Sequence, residues 1–374
     1  MKKISGICIV MFCVLAAIGQ KRERWYAADN KNFEYMGRID FSNPQLPRFW
    51  NPGVVVRIKF VGKECRIVVH DEVPYEKAHN YVVLVVGDNL GVYRVKLSGH
   101  SDTLTIKGSG KALMDGVVLR NQANPGNRNF GPDSYGGHVV TLCKATEGIG
   151  YMEFEGVYTD ILFPTPMPPD RKIECIGNSI TCGFGNDTSG IPCGKGEWFD
   201  QHNAWMSYGA IAARTLKAQW HLTAVSGIGL IHSCCNMTIT MPQVFDRMDV
   251  RGNQGDWDFS GYQPDVVTVC LGQNDGIQDS VTFCGAYVKF VQHLRQVYPG
   301  AQIVVLTSPM GNAELTAVLK RYIYGVIGAL GDSKVSSFFF SKQWGHGCAS
   351  HPDIGDDLEI AAELTGYLRG LMNW

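Results

Sequence analysis

The segment KIECIGNSIT, residues 172–181, decides the fold of the second half of the chain. Its first five residues form a short, mainly apolar run, and Gly177-Asn178 then breaks that run just before Ser179. Such a run predicts a strand buried on both faces of a sheet, followed by a tight turn into a helix. Four more predicted strands of this character cover residues 221–225, 265–271, 302–307 and 335–340.

Segments with apolar residues at helical spacing separate these strands. They cover residues 205–217, 283–298 and 313–329, and a last helix is predicted over 356–371. Strands that alternate with helices predict an α/β domain over residues 171–374, with a five-stranded parallel sheet covered on both faces. Ligands of such sheets bind at the carboxyl ends of the strands, so the residues that follow each strand are the candidates for a functional site.

The first half of the chain has a different pattern. From about residue 32 to residue 163, short β-branched runs alternate with Gly, Asn or Asp, which is typical of an all-β sandwich. The proline-rich segment 164–170 follows and can continue neither a strand nor a helix. We therefore predict a β-sandwich domain over residues 20–163, a linker over 164–170 and the α/β domain after it.

The composition is that of a globular protein without a strong electric field. The chain has 374 residues, 34 Lys and Arg against 35 Asp and Glu, and a formal net charge of -1. Without a basic field the chain does not attract nucleic acid, and with only 18% charged residues it does not resemble a disordered protein. We predict no nucleic-acid partner, and nothing in the sequence implies an obligate protein partner.

The first nineteen residues have the pattern of a secretory signal peptide. Lys2 and Lys3 precede an apolar run that ends in Ala17-Ile18-Gly19, the small-residue pattern of a cleavage site. We therefore expect an exported protein, periplasmic or secreted, with no membrane span after cleavage. A lipoprotein anchored through Cys13 is disfavoured, because the residues before Cys13 are bulky.

Ten cysteines remain once the predicted signal peptide is removed. Cys175 and Cys270 lie in apolar runs and are expected to be buried thiols. In an oxidising compartment, Cys182 with Cys193, or Cys234 with Cys235 and Cys348, could form disulfides, and the spacing leaves the pairing open. No CxxC pair is followed by a second one at zinc spacing, so no metal site is predicted.

Four short motifs stand where the predicted sheet places a site, and each suits acyl transfer. Ser179 is a nucleophile on a strand-to-helix turn, and its own N–H can face a developing oxyanion. Gly227, with Gly229 as the alternative, offers a second N–H, and the Asn274 side chain offers a third donor. His351 precedes the last helix and is the candidate general base.

Each motif alone has an ordinary structural explanation. Ser179 could cap a helix, Asn274 could belong to a turn, the glycine loop could be a plain connection, and His351 could be a loop residue. The combination is more specific, because all four stand in order at predicted strand or helix boundaries. In that order they resemble the SGNH (GDSL-like) hydrolases.

Longer motifs narrow the resemblance. GNSITCGFG at 177–185, NAWMSYGA at 203–210 and LGQND at 271–275, after a β-sandwich, are similar to carbohydrate esterase family 2. The resemblance covers nearly the whole mature chain. It implies an N-terminal jelly roll before a flavodoxin-like, three-layer SGNH domain, and an esterase that removes O-acetyl groups from plant polysaccharides such as xylan and glucomannan. It implies no metal or organic cofactor.

The sequence departs from the SGNH pattern near the histidine. The superfamily has an aspartate three residues before it, where this chain has Cys348, and no carboxylate lies in 345–350. Some members of family 2 use a Ser-His dyad instead. We therefore expect a main-chain carbonyl of residues 348–350 to orient His351, with less stabilisation of the imidazolium than a carboxylate provides.

A second departure is Ser350, where relatives often have an aromatic residue that could stack on a sugar. That platform could be supplied by Trp205, Trp257, Trp344 or Trp198, although core packing explains each of them equally well.

We predict a serine esterase acting on acetylated carbohydrate. The alternatives are an SGNH lipase or arylesterase acting on non-sugar esters, and a carbohydrate-binding protein whose chemistry is weakened or lost.

Overall fold

The computed structural model describes residues 23–87, 91–109, 111–114, 117–118 and 137–374. The predicted signal peptide, residues 1–19, lies outside this part of the chain. The first half of the described chain is all-β and antiparallel. Its strands are β1 (Arg24–Ala27), β2 (Glu34–Met36), β3 (Arg48–Phe49), β4 (Val55–Asp71), β5 (Tyr81–Val86), β6 (Gly91–Lys96), β7 (Ser101–Lys107), β8 (Ala112–Met114), β9 (Val117–Val118), β10 (His138–Lys144) and β11 (Met152–Phe163).

The long strand β4 organises this domain. Its first part pairs with β10 and its second part pairs with β7, while β11 pairs along most of its length. Side chains alternate between core and solvent on β7, as expected for a strand with one buried face. Strand β5 is buried on both faces, because Val82, Leu84 and Val86 enter the sandwich core while the residues between them face the second domain.

The second half is an α/β domain with a parallel sheet of β12 (Arg171–Gly177), β13 (Ala218–Ala224), β16 (Val266–Val269), β17 (Gln302–Leu306) and β18 (Val335–Phe338). A hairpin of β14 (Arg247–Asp249) and β15 (Gln254–Asp256) lies outside this sheet. The helices are α1 (Ser179–Cys182), α2 (Tyr208–Thr215), α3 (Met241–Val244), α4 (Ser280–Val297), α5 (Ala313–Leu330) and α6 (Ile354–Met372). None of the helices in the described part of the chain has the length and apolarity that a membrane crossing requires.

The sheet order is β13-β12-β16-β17-β18, so chain order reverses at β12. Helices α2 and α6 pack on one face of the sheet, and α4 and α5 pack on the other. The predicted fold class is confirmed: a three-layer α/β domain with five parallel strands follows an all-β domain. The reversal matters for function, because ligands of such sheets bind where the strand order changes direction.

Two predicted helices differ from the observed ones at their first turns. The segment predicted as one helix over 205–217 is a 3₁₀ turn (Ala204–Met206) followed by α2, because Ser207 between them is extended. Helix α4 starts earlier than predicted, because the Asp279 side chain accepts a hydrogen bond from the Thr282 N–H and caps it. Both boundaries are set by polar residues outside the apolar pattern, through the extended backbone of Ser207 and the side-chain cap of Asp279.

The two domains share one apolar core. Met36, Val83 and Cys143 of the sandwich belong to the same buried cluster as Ile173 and Trp220 of the α/β domain. The Trp220 indole N–H donates to the main-chain oxygen of Gly53 at 3.2 Å, which connects the domains directly. Segment 164–170 between them contains neither helix nor strand.

Candidate active site

Ser179 is the first residue of α1 and directly follows β12, the strand at which the sheet order reverses. Asn178 caps this short helix, and its side-chain oxygen accepts the Ile180 N–H at 3.1 Å. The N–H of Ser179 is not needed for the hydrogen bonds of the helix, because the first N–H groups of any helix have no partner within it. Both the hydroxyl and the N–H of Ser179 therefore stand at the carboxyl edge of the sheet.

His351 lies beside Ser179. Its Nε2 is 2.8 Å from Ser179 Oγ, and its Nδ1 is 3.1 Å from the Ala349 oxygen and 3.2 Å from the Cys348 oxygen. A carbonyl oxygen can only accept a hydrogen bond, so Nδ1 carries the proton and Nε2 presents its lone pair to the serine hydroxyl. This is the arrangement expected of a general base that main-chain carbonyls orient.

No carboxylate of the described residues is hydrogen-bonded to the His351 ring. The nearby Asp356 accepts the N–H groups of Gly345 and His346, and it pairs with His346 Nδ1 at 2.7 Å. Asp353 caps α6 instead. Burial lowers the pKa of His351 from its ordinary value of 6.5, and the two carbonyl contacts oppose that shift only in part.

The two other predicted oxyanion donors stand on the loops after β13 and β16, the strands on either side of β12. Gly227 follows β13 with φ +88°, a left-handed conformation that suits glycine, and its oxygen accepts the Cys234 N–H at 2.8 Å. Asn274 donates one amide hydrogen to the Ile228 oxygen at 2.8 Å, which orients the amide and leaves its second hydrogen for a ligand. The Gly229 N–H already donates to Ser233 Oγ, so Gly229 is not the second donor.

The sequence analysis did not identify Asp275, which holds the loop after β13 in place. The buried Asp275 carboxylate accepts the N–H groups of Leu230, Ile231 and His232 at 2.7 to 3.0 Å. These charge-assisted bonds connect the loop after β13 to the loop after β16, and so to Asn274. The only signal in the sequence was an acidic residue directly after Asn274, which is equally typical of a turn.

Three of the predicted sugar platforms lie elsewhere. Trp205 and Trp344 are only 6% and 2% exposed and pack in the core, so their rings cannot stack on a sugar. Trp257 lies against His221, in the middle of β13 and away from its carboxyl end. The prediction is wrong for Trp205 and Trp344 because both rings are buried in the core, and Trp257 lies away from the carboxyl ends of the strands.

Trp198 and Phe184 are the aromatic residues near the histidine. Phe184 lies between two glycines in the GFG motif, and its ring centroid is 4.4 Å from that of His351. Trp198 stacks beyond Phe184 at 6.2 Å with an interplanar angle of 23°, and it is 45% exposed. Sequence reasoning named Trp198 only as one of four tryptophans and did not identify Phe184.

The disulfides exclude the pairing of Cys182 with Cys193, which the sequence had left open. Cys193 forms a disulfide with Cys348, and Cys234 forms one with its neighbour Cys235, while Cys182 is a buried thiol. The predicted burial of Cys175 and Cys270 is confirmed, and burial raises the pKa of both thiols to about 12, so they are unreactive. Among the described residues, no cluster of three His, Cys, Asp or Glu side chains could hold a metal ion.

Comparison with known proteins identifies relatives of both domains. Residues 175–332 match the GDSL-like Lipase/Acylhydrolase family, and residues 35–114 match the Carbohydrate esterase 2 N-terminal family. An acetylxylan esterase / glucomannan deacetylase of Cellvibrio japonicus is 33% identical over 357 residues, which are 93% of this chain and 91% of that protein.

Two further matches are a curated protein and a solved structure. Cellulase/esterase CelE of Acetivibrio thermocellus is 30% identical over 365 residues, 92% of this chain, but the chain spans only 40% of CelE. A family two carbohydrate esterase from Clostridium thermocellum, solved in complex with cellohexaose, superposes with a TM-score of 0.76 at 28% identity and covers 91% of this chain and 99% of that one. The chain therefore belongs to carbohydrate esterase family 2.

Proposed function

We propose that this protein is a serine esterase that removes O-acetyl groups from plant polysaccharides such as xylan and glucomannan, or from their oligosaccharides. The observation that carries the proposal is the 2.8 Å contact between Ser179 Oγ and His351 Nε2. The loops that carry Gly227 and Asn274 follow β13 and β16, the two strands that flank β12 in the sheet. A nucleophile and a correctly oriented base, with candidate oxyanion donors on the neighbouring loops, are the parts that acyl transfer requires.

In the first half of the proposed reaction, Ser179 Oγ attacks the acetyl carbonyl carbon and its proton passes to His351 Nε2. The carbonyl oxygen becomes an oxyanion, which the N–H groups of Ser179 and Gly227 and the Asn274 amide stabilise. The bond between the acetyl carbon and the sugar oxygen then breaks. His351 gives its proton to the departing sugar oxygen, which leaves an acetyl group on Ser179.

In the second half, His351 Nε2 takes a proton from water, and the resulting oxygen nucleophile attacks the acetyl-enzyme. The same three donors stabilise the second oxyanion. When the ester bond to Ser179 breaks, the serine oxygen recovers its proton from His351 and acetate leaves. The names of the relatives support acetylated carbohydrate as the substrate, and we propose export to the periplasm or medium because of the N-terminal pattern of residues 1–19.

The test measures acetate release, by mass spectrometry, from acetylated xylan and glucomannan oligosaccharides. The wild-type protein should release acetate and Ser179→Ala should not. Faster hydrolysis of long-chain acyl esters than of acetyl esters would indicate a lipase instead. Glycan binding without acetate release that depends on Ser179 would indicate a binding protein and would overturn the proposal.

A further inference from the structure

A cleft of about 380 Å³ lies between the two domains on the Trp198 side of the catalytic pair. The sandwich contributes Tyr75 and Lys77, and the α/β domain contributes Glu197, Trp198 and Arg251. Clefts of this size at domain boundaries are common sites for small ligands. Its lining combines exposed aromatic rings with charged side chains, and none of these residues has a part in the acyl-transfer steps.

Two aromatic ring contacts connect the cleft to the active site. The Phe184 ring contacts the His351 ring on one side and stacks with the Trp198 ring on the other. Two successive ring contacts, of 4.4 Å and 6.2 Å between centroids, thus separate the catalytic histidine from the cleft. A chain molecule whose ester lies at Ser179 can therefore extend along this side and reach Trp198.

Trp198 stands on a rigid segment although its ring is half exposed. The Asp200 carboxylate accepts hydrogen bonds from Lys96 Nζ at 2.8 Å and from the Tyr81 hydroxyl at 2.9 Å, both in the sandwich. Arg94 of β6 donates to the main-chain oxygen of Asp200 at 2.8 Å. The Cys193–Cys348 disulfide connects the same segment to residues 345–351, the histidine loop that ends in His351. Because these contacts anchor the segment, the exposed Trp198 ring presents a preorganised aromatic face to a ligand in the cleft.

The chemistry of the lining indicates a sugar. The Arg251 guanidinium lies 6.0 Å from the Trp198 ring and pairs with Glu147 at 2.7 Å, so its charge is compensated. Glu197 and Lys77, at the same cleft, are of opposite charge. Such a lining offers hydrogen bonds to hydroxyl groups and a flat apolar face to the C–H face of a pyranose, whereas it would not suit an acyl chain.

We propose that this cleft is a subsite for pyranose units of the substrate chain next to the acetylated unit. Trp198 is its stacking platform, and Arg251 and Glu197 bind sugar hydroxyls. The inference rests on the proposed function, because it names where the remainder of the polysaccharide lies when an acetyl group is at Ser179.

The test compares Trp198→Ala with wild type on acetylated xylan oligosaccharides of increasing length and on 4-nitrophenyl acetate. The measured quantity is kcat/KM for each oligosaccharide divided by kcat/KM for the aryl ester. This ratio should fall by about tenfold for long oligosaccharides and little for acetylated xylose, mainly through KM. Trp198→Tyr should recover most of the loss, because it keeps an aromatic face.

Trp25→Ala is the matched control, because Trp25 is 42% exposed on the sandwich and contacts Tyr158 instead of the cleft. Its ratio should stay at the wild-type value. An equal loss for every substrate length in Trp198→Ala, or no loss for long oligosaccharides, would overturn the subsite while leaving the deacetylase intact. No acetate release from any acetylated glycan by wild type, with aryl acetate still hydrolysed, would overturn the deacetylase and the subsite together.

Discussion

Ser179 and His351 are 172 residues apart in the chain, yet their side chains form a 2.8 Å hydrogen bond. What distinguishes this pair is the partner of His351 Nδ1, which is main-chain carbonyl oxygen and not a carboxylate. Carbonyls orient the ring and select its tautomer as an aspartate would. They carry no full negative charge, so they oppose the desolvation of the imidazolium only weakly.

The first prediction concerns the pH dependence of this base. His351 is active when neutral, and burial lowers its pKa below 6.5, so activity should persist below that pH and fall as the pH drops through the lowered pKa. The measurement is kcat/KM for an aryl acetate across the acidic and neutral range. His346→Gln is the control, because His346 is exposed and Asp356 raises its pKa, and this variant should keep the same acid midpoint. An acid midpoint above 6.5 would contradict the assignment.

The second prediction concerns the side-chain donor of the oxyanion hole. Asn274→Ala removes one of three proposed donors and should lower kcat on the order of a hundredfold or more, with a smaller effect on KM. Gln263→Ala removes an amide far from the site, where it contacts the Phe259 and Val297 oxygens, and should have wild-type kcat. A change of kcat within about threefold for Asn274→Ala would remove Asn274 from the oxyanion hole.

At the scale of elements, the histidine loop, residues 345–351, has a strained backbone that contacts with other segments must hold in place. Ala349 and Ser350 both have positive φ, at 51° and 57°, a conformation that costs a residue other than glycine about 1–3 kcal/mol. The loop is kept in place by the Gly347 N–H, which donates to the His351 oxygen at 2.7 Å, and by the disulfide from Cys348 to Cys193. Because the Cys348 oxygen also contacts His351 Nδ1, this disulfide holds a residue that orients the base.

The third prediction follows from that connection. Cys193→Ser should lower kcat on the order of tenfold, with a smaller change in KM, because a less well held His351 is misplaced from Ser179. Cys284→Ser replaces a thiol on α4 that forms no disulfide and should leave kcat unchanged. Equal kcat values for wild type, its reduced form and Cys193→Ser would show that the loop keeps its geometry without the disulfide.

At the scale of the whole molecule, the sandwich is part of the catalytic unit. It shares an apolar core with the α/β domain, and its residues Tyr81, Arg94 and Lys96 hold the Trp198 segment beside the active site. A fully buried ion pair also crosses between the domains, where Arg38 Nη2 lies 3.0 Å from Glu174 Oε1. Glu174 is the charged residue in the middle of KIECIG, and the Thr223 and Tyr298 hydroxyls also donate to it.

The fourth prediction concerns this ion pair. Arg38→Met leaves the Glu174 carboxylate buried without its cation and should lower the free energy of unfolding by about 3–5 kcal/mol. Urea denaturation followed by tryptophan fluorescence measures the change. The double variant Arg38→Met/Glu174→Gln should recover much of the stability, because it removes the uncompensated charge. Unfolding of Arg38→Met at the wild-type urea midpoint would mean that the pair contributes nothing to the association of the domains.

The sequence predicted the elements of the fold because their causes are local. Buried parallel strands are mainly apolar, and the apolar residues of amphipathic helices recur every three to four positions, so both patterns are visible in segments such as 302–306 and 283–298. The order of the motifs around Ser179, Asn274 and His351 was likewise visible. Helix starts were less predictable, since the extended backbone of Ser207 and the side-chain cap of Asp279 leave no mark in the apolar periodicity.

By itself, then, the sequence determined the α/β and all-β classes and the strand ends at which a site could form. Only the tertiary structure decided which of the candidate tryptophans is exposed near the active site and which cysteine pairs with Cys348. It also decided which cation compensates the charge of Glu174 and which atoms orient His351. The physical reason is the range of the interactions. Periodicity and turn chemistry act over a few residues, whereas burial, ion pairing and disulfide formation depend on which distant segments the packed domains bring together.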